Sequence, residues 1–503
     1  MDVLAASLPP ELWMRIFDFL SPEDIQVLLL VHRVFRPFCA AQVWRTIKLC
    51  TLERKDFEKA QAIIRDPNLG QMVNHLVLNP AEWFDYTFTQ MDLQSLEVPM
   101  WAVALKSFDL AHPIHSIHSI RRFGQSRRIM AIANKVLPLL TNLQEITLPI
   151  STFLRQKPSA DPYYALLARL RAPNVRLLFL QVHTFANFRI FCKAIGNPMI
   201  VFESLEQLIL SVDVSRGRDD YAELADDVRA VANCGRNSLL GLGLLFDFRS
   251  ASLLAKFASG LGFFPKLAHL HLTSSTPFFQ QQRAIFQQHL GSFIAKHHNT
   301  LRRLRMPAIC LDHLVLDQMF ADSRSLELTG LNIPFRYILS PDGPAHMPDF
   351  RRYSGTLTTL MLSSPTGCRS RGLTFGEVVA IITSLSRPSH GILLRRLMLK
   401  VVHLSPDLFD FFASHLENLH TLEVEYGSLL GDEESMTILK LPFRTQMRRR
   451  RYPTWRLRSI YIYPTDVSES GIMQLLAECI PSVRERGPID WSDVRLEQLN
   501  VHG

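Results

Sequence analysis

"LAHLHL" (residues 267–272) sets leucines at Leu267, Leu270 and Leu272, and the same L-x-x-L-x-L spacing returns along most of the chain. "LQEITL" (143–148), "VRLLFL" (175–180), "LEQLIL" (205–210), "LLGLGL" (239–244) and "LRRLRM" (301–306) fit it with conservative replacements. So do "LTTLML" (357–362), "LRRLML" (394–399), "LHTLEV" (419–424), "LRSIYI" (457–462) and "LEQLNV" (496–501). Weaker copies stand at 44 ("WRTIKL"), 73 ("VNHLVL") and 105 ("LKSFDL"), while a strict copy at 311 sits better on a helix. In a chain that is 47% hydrophobic, loose matches arise by chance, so spacing decides. Successive starts from 143 to 301 differ by 32, 30, 34, 28 and 34 residues, a quasi-period that scattered leucines do not keep. In an extended segment alternate side chains share a face. The last two apolar positions of each copy therefore point into a core, and the residues between and beside them point away.

Helical patterns fill several of the intervals. "DDYAELADDVRAVA" (219–232) puts Tyr221, Leu224, Ala225, Val228 and Val231 on one face. "TFGEVVAIITSL" (374–385) opens with Thr374 and Glu377 at capping-box spacing, followed by Val378, Ile381, Ile382 and Leu385. "SPDLFDFFASHL" (405–416) repeats a Ser-Pro helix start ahead of Leu408, Phe411 and Phe412. A unit of short strand, turn and helix cannot bury its own apolar face, so neighbouring units must stack to make a core. This pattern resembles leucine-rich repeats. It departs from them in lacking the Asn or Cys after the third leucine, where Pro149, Ser211, Thr273 and Pro307 stand, and in unit lengths of about 25 to 39 residues. The resemblance implies an α/β fold over 51–503: an irregular solenoid with a parallel concave sheet and convex helices. A non-repetitive α/β domain with parallel strands is the alternative.

The first fifty residues have a different texture. In "LPPELWMRIFDFLSPEDIQVLLLVHRVFRPFCAAQVWRTIKL" (8–49), Leu12, Ile16, Phe19 and Leu20 share one helical face. Ser21, Pro22, Glu23 and Asp24 suit the start of a second helix carrying Ile25, Leu28, Leu29 and Val31. That helix stops at Arg36-Pro37, and a third short helix brings Trp44 back. Such a block lies near the lower size limit for independent stability. It closely resembles an F-box, on Leu8, Pro9, Glu11, Leu12, Ile16, Leu20, Pro22, Asp24, Val31, Arg33, Phe35, Trp44 and Arg45 in the family's order and spacing. His32-Arg33 departs from the more usual cysteine or serine before the basic residue. Two domains follow, an F-box over 1–50 and a recognition domain over 51–503, as in fungal F-box proteins.

Composition bounds the rest. A net charge of +8 permits an acidic partner without demanding one. The seven cysteines form no C-x-x-C pair, which indicates neither a zinc site nor a disulfide framework. There is no signal-peptide pattern and no apolar run long enough to span a bilayer, pointing to cytoplasm or nucleus. No phosphate loop, H-E-x-x-H helix, G-x-S-x-G elbow or G-x-G-x-x-G turn appears. "HPIHSIHSIRRFGQSRR" (112–128) spaces His112, His115 and His118 by three, but without nearby Cys, Asp or Glu it reads as a solvated basic loop rather than a metal site. "RTQMRRRRYPTWRLR" (444–458) is either an exposed loop between repeats or a nuclear-import or nucleic-acid contact.

The F-box resemblance implies a non-catalytic adaptor without cofactor or metal. It would be the substrate-recognition subunit of an SCF-type cullin–RING ubiquitin ligase, docked on a Skp-type adaptor. The expected adaptor contacts are Leu8, Pro9, Leu12, Ile16, Leu20, Ile25, Val31 and Phe35, some of which must instead hold the helices together. On the concave strand positions, His269, His271, Arg303, Arg305, Arg396 and Lys400 make a basic centre suited to an acidic or phosphorylated protein substrate. Glu423, Glu425, Tyr461 and Tyr463 bound it at the C-terminal end. The alternative is an F-box scaffold or nucleic-acid-binding protein outside a ligase. An enzyme with an unrecognised site is a third reading. Partners on the first reading are the adaptor, the ligase and a protein substrate; membrane and nucleic acid are not expected.

Overall fold

Every L-x-x-L-x-L copy within the described residues becomes a β-strand that starts at its third position. The computed structural model describes residues 9–17, 20, 24–25, 27–28, 35–49, 54–78, 131–150, 174–182, 192, 202–212, 221–246, 260–274, 289–306, 327–334, 350–363, 372–386, 391–429, 443–464 and 472–486. The chain divides into two units, 1–239 and 240–503. The copies at 105, 311 and 496 and the histidine-rich stretch 112–128 lie outside the described residues.

The first unit contains α1 (Pro10–Phe17), α2 (Arg36–Trp44), β1 (Thr46–Leu49), α3 (Arg54–Arg65), α4 (Pro67–Gln71), β2 (His75–Leu78), β3 (Glu145–Ile150), β4 (Leu177–Val182), β5 (Gln207–Val212) and α5 (Tyr221–Cys234). Its strands pair in parallel, in chain order. The second unit holds β6 (Gly241–Phe246), β7 (His269–Ser274), β8 (Arg303–Arg305), β9 (Gly330–Pro334), β10 (Thr359–Ser363), α6 (Phe375–Ser384), β11 (Arg396–Leu404), α7 (Pro406–His415), β12 (Thr421–Leu429), α8 (Phe443–Arg448), β13 (Ser459–Pro464), α9 (Ile472–Cys479) and β14 (Glu485–Arg486). These strands too are parallel and follow chain order. Parallel neighbours need a crossover between them, and the helix-bearing intervals supply it.

Register turns the leucine motif into a core. Leu242, Leu270, Leu304, Leu331, Leu360, Leu397, Leu422 and Ile460 are aligned partners across eight strands, and none is more than 2% exposed. At each step one backbone carbonyl accepts two N–H groups from the next unit. Arg302 and Arg303 donate to the Ala268 carbonyl, Thr329 and Gly330 to that of Arg302, and Arg395 and Arg396 to that of Thr358. This repeated fork locks register, because a one-residue slip would turn every leucine outward.

The helices begin as their sequences require. Thr374 and Glu377 close a reciprocal capping box on α6, and Ser405 caps α7 with Pro406 in its first turn. Val378, Ile381 and Ile382 are buried on α6, as expected. On α7 the buried set is Leu408, Phe409 and Phe412, while Phe411 is half-buried beside Phe375 and His415. The 444–458 stretch is only in part an exposed loop. It contributes to α8, and its mostly exposed remainder is pinned by the buried Tyr452 and Trp455. Trp455 Nε1 donates to the Leu416 carbonyl at 3.1 Å, Tyr452 Oη donates to Asp410 at 2.6 Å, and Arg450 bridges Asp407 and Asp410.

His297 is a buried latch between units of the repeat. Its Nδ1 lies 2.7 Å from the Phe293 carbonyl and its Nε2 accepts the Phe264 N–H at 2.9 Å, so the ring is neutral with the proton on Nδ1. It stacks on Phe263 and packs against Phe293. Burial pushes its pKa below the usual histidine range. Because the folded pKa is the lower one, this contribution is complete above the unfolded value of about 6.5 and fades as pH falls below it. His297→Ala should cost about 2–4 kcal/mol, from the orphaned Phe264 N–H and the lost ring packing. Urea unfolding at pH 7.5 and pH 5 checks both points: the variant should lose most of the parent's pH dependence between them.

Candidate functional site

In the N-terminal block, Phe17, Ile25 and Cys39 form the buried core, with Trp13, Leu20, Leu28, Phe35 and Val43 packed against it. The aromatic rings lock the packing: Trp13 and Phe35 meet edge-on at 5.0 Å and Phe17 meets Phe35 at 6.2 Å. What this core leaves out is the informative part. Leu12 is 44% exposed, Ile16 39% and Val27 58%. Leu12 and Ile16 stand four residues apart on α1, hence on one face. Pro9 is exposed beside them.

The eight residues expected to contact an adaptor therefore divide. Pro9, Leu12 and Ile16 face outward, while Ile25, Leu20 and Phe35 hold the block together. Leu8 and Val31 lie outside the described residues. Val27 was not singled out from sequence. Its signal is a valine one position away from the Ile25–Leu28 stripe.

This block runs directly into the sheet. α2 ends at Trp44, β1 starts at Thr46, and β1 pairs with β2 along its whole length. Ile47 and Leu49 are buried. Lys59 on α3 reaches back to donate to the carbonyls of Val43 at 2.8 Å and Thr46 at 3.4 Å, capping the end of α2. Burial pulls its pKa down, against the opposing pull of Asp56.

The second unit carries the polar strand positions. His269, Arg303, Gly330, Thr359, Arg396, Thr421 and Ser459 form one register row, and His271, Arg305, Asn332, Met361, Met398, Glu423 and Tyr461 another. Lys400 pairs with Glu425, and Glu425 with Tyr463. All six residues expected to bind substrate fall on these rows, yet their charge is partly spent. Arg396 Nε donates to Glu423 at 2.9 Å, and Lys400 forms an ion pair with Glu425 at 2.7 Å. Glu423 is 1% exposed, and its second carboxylate oxygen is buried without a hydrogen-bond partner. Burial, reinforced by Arg303 and Arg305 respectively, pushes His269 down to about 4 and His271 to about 3, so both are neutral at pH 7. His271 Nε2 bonds the Thr273 hydroxyl at 2.8 Å. Arg305 is pushed down by burial and by Arg396 and drawn up by Glu423. Only Arg303 of the six is exposed, its stem lying over Gly330, where an added Cβ would sit 3.2 Å from Arg303 Cγ.

Among the described residues no group of three His, Cys, Asp or Glu is placed to hold a metal ion. No helix among them is long and apolar enough to cross a membrane.

No curated protein matches the chain. Among solved structures, it is similar to a chain of "Crystal structure of Rad7 and Elc1 complex in yeast" at 13% identity, with a TM-score of 0.35 over 63% of this chain and 78% of that one. A family model described as F-box-like matches residues 5–50. The N-terminal block, α1 through β1, is an F-box-like domain.

Proposed function

We propose that this chain is the substrate-recognition subunit of an SCF-type cullin–RING ubiquitin ligase. Its three-helix F-box docks on a Skp-type adaptor, and its repeats, over 51–503, form an irregular leucine-rich-repeat-like solenoid that holds a protein substrate. The observation that carries this reading is the apolar set Pro9, Leu12, Ile16 and Val27, left outward-facing on a domain that has already closed its own aromatic core. An exposed apolar patch on so small a block marks a protein interface. The function needs no reacting side chain. Tethering substrate near a charged conjugating enzyme raises its effective concentration, and the continuous α2–β1 connection with its Lys59 brace suits a fixed geometry. The polar rows at His269, His271, Arg303, Arg305, Arg396 and Lys400 are the proposed substrate face, in cytoplasm or nucleus.

Affinity capture of the full chain with mass spectrometry tests this. Adaptor and cullin should co-purify, and a neddylation inhibitor should raise the level of any captured substrate in cells. Capture of adaptor without cullin would leave the chain an F-box scaffold outside a ligase.

A further inference from the structure

The second position of the L-x-x-L-x-L motif immediately precedes each strand, and before β11, β12, β13 and β14 it is occupied by Arg395, His420, Arg458 and Arg484. Backbone bonds tie these residues into one row: His420 N–H donates to the Arg395 carbonyl at 2.7 Å, Arg458 N–H to that of His420 at 2.8 Å, and Arg484 N–H to that of Arg458 at 2.8 Å. At the strand spacing of about 4.8 Å the row is about 14 Å long. Arg456 lies two residues ahead of Arg458. The pKa of His420 is pushed down by burial, and the charges of Arg458, Arg395 and Arg456 add to that.

In two other units an arginine at this position has a carboxylate partner. Arg176 pairs with Glu206 at 3.9 Å in the first unit, and Arg302 with Glu327 at 3.5 Å in the second. Arg395, Arg456, Arg458 and Arg484 are all exposed and make no ion pair with any described residue. A protein that compensates this position in two other units and leaves it bare in neighbouring ones concentrates positive charge at one edge of β11–β14. The neighbouring basic run contributes less than its sequence suggests, because Arg450 is spent on Asp407 and Asp410.

We infer that this arginine row is a docking surface for an acidic, leucine-bearing segment of a protein partner, an inference that rests on reading the repeats as the substrate-holding part. The guanidinium fork matches carboxylates bidentately. Leu393, 42% exposed two residues before Arg395, offers an apolar seat that a phosphodiester backbone has nothing to fill. Single-stranded nucleic acid is held by stacking on exposed aromatics; Trp455, three residues before Arg458, is buried, and Tyr461, three residues after it, is half-buried. The row borders the strand positions proposed to face substrate, since Arg395 precedes Arg396 and Arg458 precedes Ser459.

Fluorescence anisotropy with the full chain tests the assignment, using a fluorescein-labelled peptide of repeated Glu-Glu-Leu and, as competitor class, a labelled single-stranded oligonucleotide of equal charge. The peptide should bind, weaken at least tenfold in Arg395→Glu/Arg458→Glu, and weaken with rising salt. Arg302→Glu, whose parent guanidinium is already paired, should leave binding within twofold. Equal binding by parent and double variant, no binding of the peptide, or stronger binding of the oligonucleotide each overturns the proposal. Adaptor co-purification of the same proteins separates the two readings: its absence with peptide binding intact defeats the ligase reading and leaves the docking surface standing.

Discussion

A chain carrying Leu12→Asp and Val27→Asp will purify without the Skp-type adaptor, while its far-ultraviolet circular dichroism and thermal unfolding stay those of the parent. Both side chains lie outside the aromatic core of the F-box-like domain, Leu12 at 44% and Val27 at 58% exposure, so folding does not depend on them. Docking does. Burying a leucine or valine at an interface contributes about 1.5–3 kcal/mol each, and a carboxylate placed there adds desolvation without a partner. Losing both anchors weakens binding by about a hundredfold or more, at 1.4 kcal/mol for each factor of ten. Ile25→Asp makes the contrast. Ile25 is 7% exposed within the core, so that change should unfold the domain and abolish docking only as a consequence. Adaptor retained by the Leu12→Asp/Val27→Asp chain would show that the docking face is another one.

That contrast also shows where sequence reading stops. The strands were legible because an alternating leucine pattern has one physical meaning, a face turned to a core. Of the two strands missed, β9 carries the pattern too, as Leu328, Leu331 and Ile333, but Gly330 and Asn332 between them disguise it, and β14 keeps only Val483 of it, with Arg486 where a leucine would stand. On α1 the pattern was less decisive, because Trp13 and Phe17 flank Leu12 and Ile16, so apolar residues cover more than one face. Only the packing of Phe17 on Phe35 and Ile25 decides which face is inside. Ion pairs were the least legible feature. Arg396 and Glu423 are 27 residues apart in the chain and meet because β11 and β12 are neighbours. A basic strip read from sequence thus becomes a largely compensated one in space, and the uncompensated charge sits at the strand starts instead.

The compensated strip yields the second large effect. Glu423→Leu should destabilise the second unit by about 3 kcal/mol, toward the lower end for breaking a buried ion pair because Arg396 keeps 28% of its side-chain surface. The carboxylate does two things at once. It accepts from Arg396 directly, and its charge offsets the guanidiniums of Arg396 and Arg305, which push against each other. Removing it leaves two cations over a buried surface shared with Met361 and Asn332. The cost is one of orphaned charge rather than lost attraction, so Arg396→Met/Glu423→Leu should recover most of the stability, as apolar replacement of a buried pair commonly does. Stacked units interact with nearest neighbours. Hydrogen exchange in the single variant should therefore accelerate first in β11, β12 and β13, before β6 and β7. Unfolding in urea measures the energy and exchange maps its location. A double variant no more stable than Glu423→Leu alone would mean that the glutamate acts through packing, with its charge incidental.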